Sequence, residues 1–392
     1  MRHICLISFS PLKNDGRVLR QIHYLRARYQ LTVIGYGELD AALTESIDYH
    51  PINRHVGLLD KILTSILLII ARFIPALYDY RFWRRPHYQQ AREIVESRTF
   101  DAFYANEWAA VPIAVMGAKR NNAPVVYDAH EYSPLEREDH LGWRFFYGPM
   151  ITYMLKRYAP HISRSITVCQ PIADRYKSEF GLDPILVLNA PHRVEVADHD
   201  VDPNRVNLIH HGSAQSDRKI ELIIDALAHA DSRFYLYLML VNRQPGYIEF
   251  LKNRAAQVAP NRVTFVDPVL PHQIVQTIAQ YDFGVPLMYP SNYNLRMALP
   301  NKFFEYLNAG LGVLVGQSPA MIDIVKKYHC GVIAPSFDPR DLGATLNALT
   351  PDDIRRYRTA ARKASETLNA DTQIEQIGAI FQSLLPLNED RS

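Results

Sequence analysis

A short amphipathic stretch, residues 301–309, carries polar groups well suited to binding a ligand. At about 100° per residue, a helix here places Asn301, Glu305 and Asn308 on one side. Lys302 lies beside them. The opposite side carries the apolar residues Phe303, Phe304 and Leu307. A carboxylate accepts hydrogen bonds from ribose hydroxyls, and a helix N-terminus favours phosphate. The stretch therefore predicts a nucleotide site; an amphipathic helix with a solvated polar face is the alternative.

A histidine flanked by carboxylates directly follows a predicted strand at 125–127. The residues are Asp128, His130 and Glu131. In open α/β sheets, ligands bind beyond the carboxyl ends of the strands. We therefore predict His130 as a catalytic group and the two carboxylates as candidate acceptor or cleft residues. The alternative is a purely structural histidine.

A small-residue turn and a basic pair follow another predicted strand, at 207–212. Gly212 and Ser213 form the turn, and Arg218 and Lys219 precede a predicted helix from residue 220. This order is typical of a diphosphate cradle, with two solvated cations at a helix start as the alternative. Pro268 and Val269 end a later strand, where a nucleotide base would rest.

Alternating strands and helices predict two α/β units in the 392 residues. We expect an N-terminal domain at 1–192, a polar linker at 194–203, a C-terminal domain at 204–370 and a final helix within 371–392. The first strand-to-helix turn lacks a GxGxxG pattern, which argues against a dinucleotide site there.

The bulk composition argues against several classes of function and site. A net charge of +2 gives no case for nucleic-acid binding. The three cysteines form no metal-like or disulfide pattern, and the N-terminus begins like a β-strand. We expect a cytoplasmic protein with buried thiols and no metal site.

Residues 58–86 combine a strongly apolar run with interleaved aromatic and basic residues. The basic residues are Arg72, Arg81, Arg84 and Arg85. The run is too short and interrupted to span a bilayer, but the mixture suits an anionic membrane surface. A core helix with a basic surface turn is the alternative.

The polar motifs together resemble the retaining glycosyltransferases of family 4, which have the two-domain GT-B fold. Residues 300–310 resemble that family's donor motif, and 127–131 resemble a run in its first domain. Asp15 and Arg17 resemble its Asp-x-Arg-Val run, although Asp15 also fits a helix N-terminus.

The resemblance implies two Rossmann-like domains facing a cleft and a nucleotide-sugar co-substrate without other cofactor or metal. Glu305 would bind the ribose, and His130 would approach the donor sugar. Arg218 and Lys219 would offset charge on the departing diphosphate. The acceptor would be a hydroxyl of a glycan or a lipid-linked molecule, and the final helix would cross back to the first domain.

Three positions depart from the family pattern. Met297 stands near the place of a glutamate that touches the donor sugar, Ser213 replaces an arginine, and Gly312 replaces a proline. A sugar-nucleotide epimerase of the same fold and a non-catalytic partner subunit therefore remain alternatives.

Overall fold

A computed structural model describes residues 1–53 and 57–385, except for the side chains of 58–62. The chain divides into two compact units, one formed by 1–187 with the chain from Ile374 onward and the other by 188–373. The last helix, Ala370–Leu384, begins in the second unit and contributes its residues from Ile374 to the first.

The first unit contains a seven-stranded parallel sheet in the order β3-β2-β1-β4-β5-β6-β7. Its strands are β1 (His3–Pro11), β2 (Gln30–Tyr36), β3 (Asp48–Ile52), β4 (Ala102–Asn106), β5 (Val125–Ala129), β6 (Arg164–Thr167) and β7 (Ile185–Leu186). The central strands are buried apolar runs, as expected when helices cover both faces of a parallel sheet.

Helices connect and cover these strands. They are α1 (Gly16–Arg26), α2 (Ala41–Thr44), α3 (Leu58–Ala71), α4 (Ala76–Trp83), α5 (Pro86–Glu96), α6 (Val111–Asn121), α7 (Gly148–Tyr158) and α8 (Gln170–Phe180). A π-helical turn, Trp143–Tyr147, precedes α7. Ile377 and Phe381 of the last helix are buried in the same apolar cluster as Val18 and Ile22 of α1.

The segment predicted to contact a membrane forms α3 and α4. Thr64, Leu68 and Ala71 of α3 are buried. Arg81 is also buried and donates from Nε to Thr64 Oγ1 over 2.9 Å. The prediction that Arg81 contacts lipid is therefore wrong, because its guanidinium joins α4 to α3.

The second unit contains a six-stranded parallel sheet in the order β10-β9-β8-β11-β12-β13. Its strands are β8 (Val206–Ala214), β9 (Phe234–Asn242), β10 (Val263–Val266), β11 (Phe283–Gly284), β12 (Gly312–Val315) and β13 (Gly331–Ile333). Its helices are α9 (Glu221–Ala226), α10 (Tyr247–Val258), α11 (Ile274–Ile278), α12 (Tyr293–Met297), α13 (Asn301–Asn308), α14 (Pro319–Tyr328), α15 (Pro339–Asn347) and α16 (Pro351–Ser365), and the last helix is α17 (Ala370–Leu384).

Candidate functional site

His130 lies just beyond the carboxyl end of β5, next to the end of β4. Its Nδ1 is 3.3 Å from Glu107 Oε1, and its Nε2 is 3.1 Å from Asn106 Oδ1. Burial lowers the pKa of His130, and the nearby Asp128 carboxylate offsets only part of that effect. The ring is therefore neutral at pH 7, held on both nitrogens and still 20% exposed.

A buried ion pair between Arg17 and Asp128 lies next to this histidine. Asp128 accepts from Arg17 Nη2 and Nε over 2.8 and 2.9 Å and from Gln21 Nε2 over 2.7 Å. Burial is the largest influence on Asp128 and would raise its pKa, but Arg17, His130 and Tyr104 together outweigh it, so the pKa lies below its usual value. We expected Arg17 and Asp128 to line a cleft. Their side chains are only 6% and 0% exposed, so they support the site instead.

Asp15 caps the N-terminus of α1 and also lines a cavity. Its Oδ1 accepts from the Val18 N–H over 3.1 Å, and its Oδ2 accepts from Ser10 Oγ over 2.6 Å. Asp15 and Glu131 both line a cavity of about 1000 Å³ that contains the exposed edge of His130. The two interpretations of Asp15 are thus compatible.

Glu107, which sequence reasoning missed, is the most unusual residue of this cavity. Its backbone has φ 64° and ψ 159°, a region that only glycine occupies without strain. Burial, followed by the charges of Glu136 and Glu131, raises its pKa well above the usual value. The available signal was an acidic residue directly after a strand, but it required knowing that β4 lies beside β5.

The remainder of the cavity combines carboxylates with aromatic rings. Its aromatic side chains are Phe9, Tyr36, Tyr88, Trp108, Trp143 and Tyr147, its acidic ones are Asp15, Glu107, Glu131 and Glu136, and its arginines are Arg85 and Arg137. Carboxylates accept hydrogen bonds from hydroxyl groups, and aromatic faces cover apolar surface. Such a cavity can hold a polyhydroxylated molecule next to His130.

In the second unit, α13 presents Glu305 at the carboxyl side of the sheet. Phe303, Phe304 and Leu307 are fully buried and fix the helix. Glu305 Oε2 lies 3.4 Å from His211 Nε2, and the carboxylate is 15% exposed. Asn308 does not join this exposed face. It is buried and donates to the His192 carbonyl over 2.6 Å, so it holds the linker.

His211 is a second residue that sequence reasoning missed. Its ring is 5% exposed, and burial, followed by the charge of Lys302, lowers its pKa to about 3. Its backbone N–H donates to Tyr306 Oη over 3.0 Å. A neutral imidazole therefore lies beside Glu305, and its place immediately before Gly212 was the available signal.

Lys302 lies against the backbone of Gly212. A Cβ at Gly212 would be 3.3 Å from Lys302 Nζ, and Gly212 has φ +122°. Burial, followed by the charge of Arg218, lowers the pKa of Lys302 to about 7, while Glu305 opposes the shift. The charges of Arg218 and Glu305 therefore both act on the Lys302 ammonium. Asn301, on the same helix, is exposed.

Lys219 does not join this group. It has a left-handed backbone, with φ +51°, and its Nζ lies 3.7 Å from Glu221 Oε1. Its side chain is 45% exposed. We expected Lys219 to act on the diphosphate with Arg218, but its ammonium lies near Glu221, whereas Lys302 lies against Gly212. Met297 is buried, so α12 offers no charge at that position.

Pro268 and Val269 follow β10, the strand at one edge of the second sheet. Two strands separate their loop from β11, and Pro268 is exposed. Within the described residues, no cluster of histidine, cysteine, aspartate and glutamate could hold a metal ion. Nor do the described helices include one long and apolar enough to cross a membrane.

Comparisons with known proteins agree with this architecture. The model of Glycosyltransferase Family 4 matches residues 17–205. The structure of HepE from Anabaena in complex with UDP-glucose is 16% identical, with a TM-score of 0.66, over 98% of this chain and 100% of that chain. A search of curated proteins found no match.

Two further solved structures have the same fold. A glycosyltransferase from Rickettsia africae is 12% identical, with a TM-score of 0.67, over 98% of this chain and 99% of that one. Sucrose-phosphate synthase from Thermosynechococcus elongatus is 13% identical, with a TM-score of 0.67 and the same coverage. The predicted α/β fold with two Rossmann-like domains is confirmed. The chain has the GT-B fold of these solved structures, and its residues 17–205 match the model of Glycosyltransferase Family 4.

Proposed function

We propose that the protein transfers a sugar from a nucleotide-sugar donor to a hydroxyl of a glycan or lipid-linked acceptor, retaining the anomeric configuration. The observation that carries the proposal is the position of Lys302, which lies against the backbone of Gly212 and is subject to the charges of Arg218 and Glu305. Two interacting cations and a partly exposed glycine suit a diphosphate, and a nearby carboxylate suits a ribose.

The second unit binds the donor in this proposal. Glu305 accepts hydrogen bonds from the ribose, while Arg218 and Lys302 stabilise the negative charge that develops on the departing diphosphate. The neutral ring of His211 adds no competing positive charge beside Glu305. Asn301, Ser213, Pro268 and Val269 are further candidates for donor contacts, and Lys219 is a weaker one.

The first unit binds the acceptor and presents His130 to the transferred sugar. The carboxylates of the His130 cavity accept hydrogen bonds from acceptor hydroxyls. HepE was crystallised with UDP-glucose, so uridine diphosphate sugars are the first donors to test. The reaction as proposed needs no metal or other cofactor.

We further propose a peripheral location on the inner face of a membrane. The side of α3 opposite its buried residues is apolar and exposed, with Leu63, Ile66, Ile69 and Ile70 continuing into Phe73 and Ile74. A contiguous exposed apolar face is typical of an interaction surface. Arg84 and Arg85 add the basic character that favours anionic lipid.

Thermal-shift screening of uridine and guanosine diphosphate sugars tests donor binding, because a ligand of the folded state raises its stability. We expect a shift with at least one donor, followed by release of nucleoside diphosphate when acceptor lipids or glycans are added. No shift with any nucleotide sugar would contradict the proposal.

Met297 favours a second candidate, a non-catalytic partner subunit, because its position lacks the charged sugar contact. That function predicts a thermal shift without turnover across a broad acceptor panel. Free nucleotide formed without acceptor would instead indicate an epimerase.

A further inference from the structure

A second cavity in the first unit, of about 650 Å³, adjoins the His130 cavity. Trp143 lines both cavities, and its indole nitrogen donates to the Pro134 carbonyl over 3.1 Å. The walls of the second cavity come from the α3–α4 turn, the π-helical turn, α7 and α8. The two cavities therefore adjoin at Trp143.

The charges of the second cavity are unbalanced. Four cations, Arg72, Arg144, Lys156 and Arg175, face two carboxylates, Glu138 and Glu179. Arg175 pairs with Glu179 over 2.8 Å. Among the described residues, the side chains of Arg72, Arg144 and Lys156 have no hydrogen bond or ion pair. Three free cations around one cavity suit a phosphate.

An apolar surface adjoins the same cavity. Phe73 and Ile74, next to Arg72 on the α3–α4 turn, are 83% and 54% exposed. Phe145, next to Arg144 in the π-helical turn, is 53% exposed. Free cations beside exposed apolar side chains are the pattern that binds an anionic lipid at a membrane surface.

We propose that the second cavity binds the phosphate of a lipid-linked acceptor. The hydrocarbon chain would lie along the exposed face of α3, and the sugar would extend past Trp143 into the His130 cavity. This inference rests on the proposed function and narrows its acceptor to a glycosylated lipid phosphate.

Vesicle flotation tests the phosphate site, with phosphatidic acid in phosphatidylcholine as the probe. Phosphatidylserine vesicles of matched surface potential are the comparison. We expect wild-type protein to prefer phosphatidic acid by at least about tenfold, since the free cations pair best with an exposed phosphate. The triple variant R72Q/R144Q/K156Q should lose that preference. Equal wild-type binding to both vesicles, or a preference that survives in the triple variant, would overturn the proposal.

A matched control removes three exposed cations elsewhere: R120Q/R243Q/K363Q. It should retain the preference, because exposed charges are screened beyond about 10 Å. A second variant, I70S/F73S, should weaken binding to every vesicle through the apolar face. Loss of the preference in the control would overturn the assignment to the second cavity.

Nucleotide-sugar calorimetry on the same preparations separates the two proposals. Donor binding without a phosphatidic acid preference overturns the cavity assignment alone. A cation-dependent preference without donor binding supports the cavity and overturns the proposed transfer.

Discussion

The carboxyl edges of the two sheets carry opposite chemistry on similar scaffolds. In the first unit the His130 cavity is lined by aromatic rings and by four acidic side chains against two arginines, and the buried Arg17–Asp128 pair lies next to His130. In the second, Lys302 lies against the backbone of Gly212, and the positive charge of Arg218 acts on Lys302. An acidic edge suits neutral hydroxyl groups, whereas a basic edge suits a diphosphate. The comparison teaches that one fold can be specialised for two ligands by the side chains that follow its strands.

The largest expected effect is a loss of folding stability when the buried Arg17–Asp128 ion pair is broken. Asp128→Asn leaves the Arg17 charge buried without its partner, which costs about 3–5 kcal/mol. Urea unfolding measures the loss. The exposed pair of Glu249 and Lys252 is the control, because Glu249→Gln should cost under about 1 kcal/mol.

The pH dependence of wild-type stability gives an independent check on Asp128. Its folded pKa lies below the unfolded value, so its stabilisation is present above about pH 4 and is lost as pH falls through the folded pKa. The Asp128→Asn variant should lack the part of the fall in stability at acid pH that protonation of Asp128 causes in the wild type. Equal stability of Asp128→Asn and wild type at pH 7 would show that the pair is not a support.

His130→Ala should separate the two edges functionally. If His130 acts on the transferred sugar, its loss should lower turnover by about 100-fold, within the range for a positioned acid–base group. Nucleotide affinity should be unchanged, because the donor groups lie in the second unit. Initial rates and calorimetry measure the two effects, and a wild-type rate in a folded variant would make His130 structural.

Substitutions at the basic edge should weaken nucleotide binding, which the His130 substitution should leave unchanged. Losing a charge-assisted contact in Glu305→Ala or Arg218→Ala should weaken nucleotide binding by about 1.5–3 kcal/mol. Lys219→Ala is the matched control, since that ammonium pairs with Glu221 and should change affinity little. Unchanged affinity in both site variants would place the nucleotide elsewhere.

Lys302 should make donor affinity depend on pH near neutrality. With a pKa of about 7 in the free protein, it is charged below that pH and must take up a proton to pair with a diphosphate above it. At one pH unit above its pKa, this costs about 1.4 kcal/mol, so affinity should fall about tenfold. A UDP-sugar is the suitable ligand because its diphosphate diester does not titrate there.

Calorimetry in buffers of different ionisation enthalpy should show this proton uptake above pH 7. Lys302→Gln should bind more weakly at low pH and lose the pH dependence, whereas Lys219→Gln should keep it. Equal affinity of wild type on both sides of pH 7 would remove Lys302 from the diphosphate site.

The sequence predicted more of the architecture than of the site's supporting contacts. The α/β class follows from alternating apolar runs, but β11 is only two residues long and β3 contains a proline at a sheet edge. Neither was predicted. The candidate ligand-binding groups were chosen from their residue types and from their places after strands or at a helix start, and their roles stay predictions.

The missed residues depend on which strands are neighbours. Glu107 gains its role because β4 lies beside β5, and His211 gains its role from a buried place next to Glu305. Arg17 and Asp128 were found but assigned to a cleft, since a sequence does not distinguish an exposed charge from a buried pair. Spatial neighbours across long sequence distances set all of these roles.

The smallest expected effect tests whether the acidic edge stores strain for its function. Glu107 has a positive φ, so Glu107→Gly relieves a strain of about 1–3 kcal/mol and loses about 0.5–1 kcal/mol to chain entropy. We expect a net gain in stability of about 1 kcal/mol by urea unfolding, together with slower turnover because His130 loses its Nδ1 partner. Glu107→Gln retains the strain and should show no such gain. A destabilised Glu107→Gly variant would mean that the contacts of this carboxyl group outweigh its backbone strain, and the acidic edge would then be held by its side chains alone.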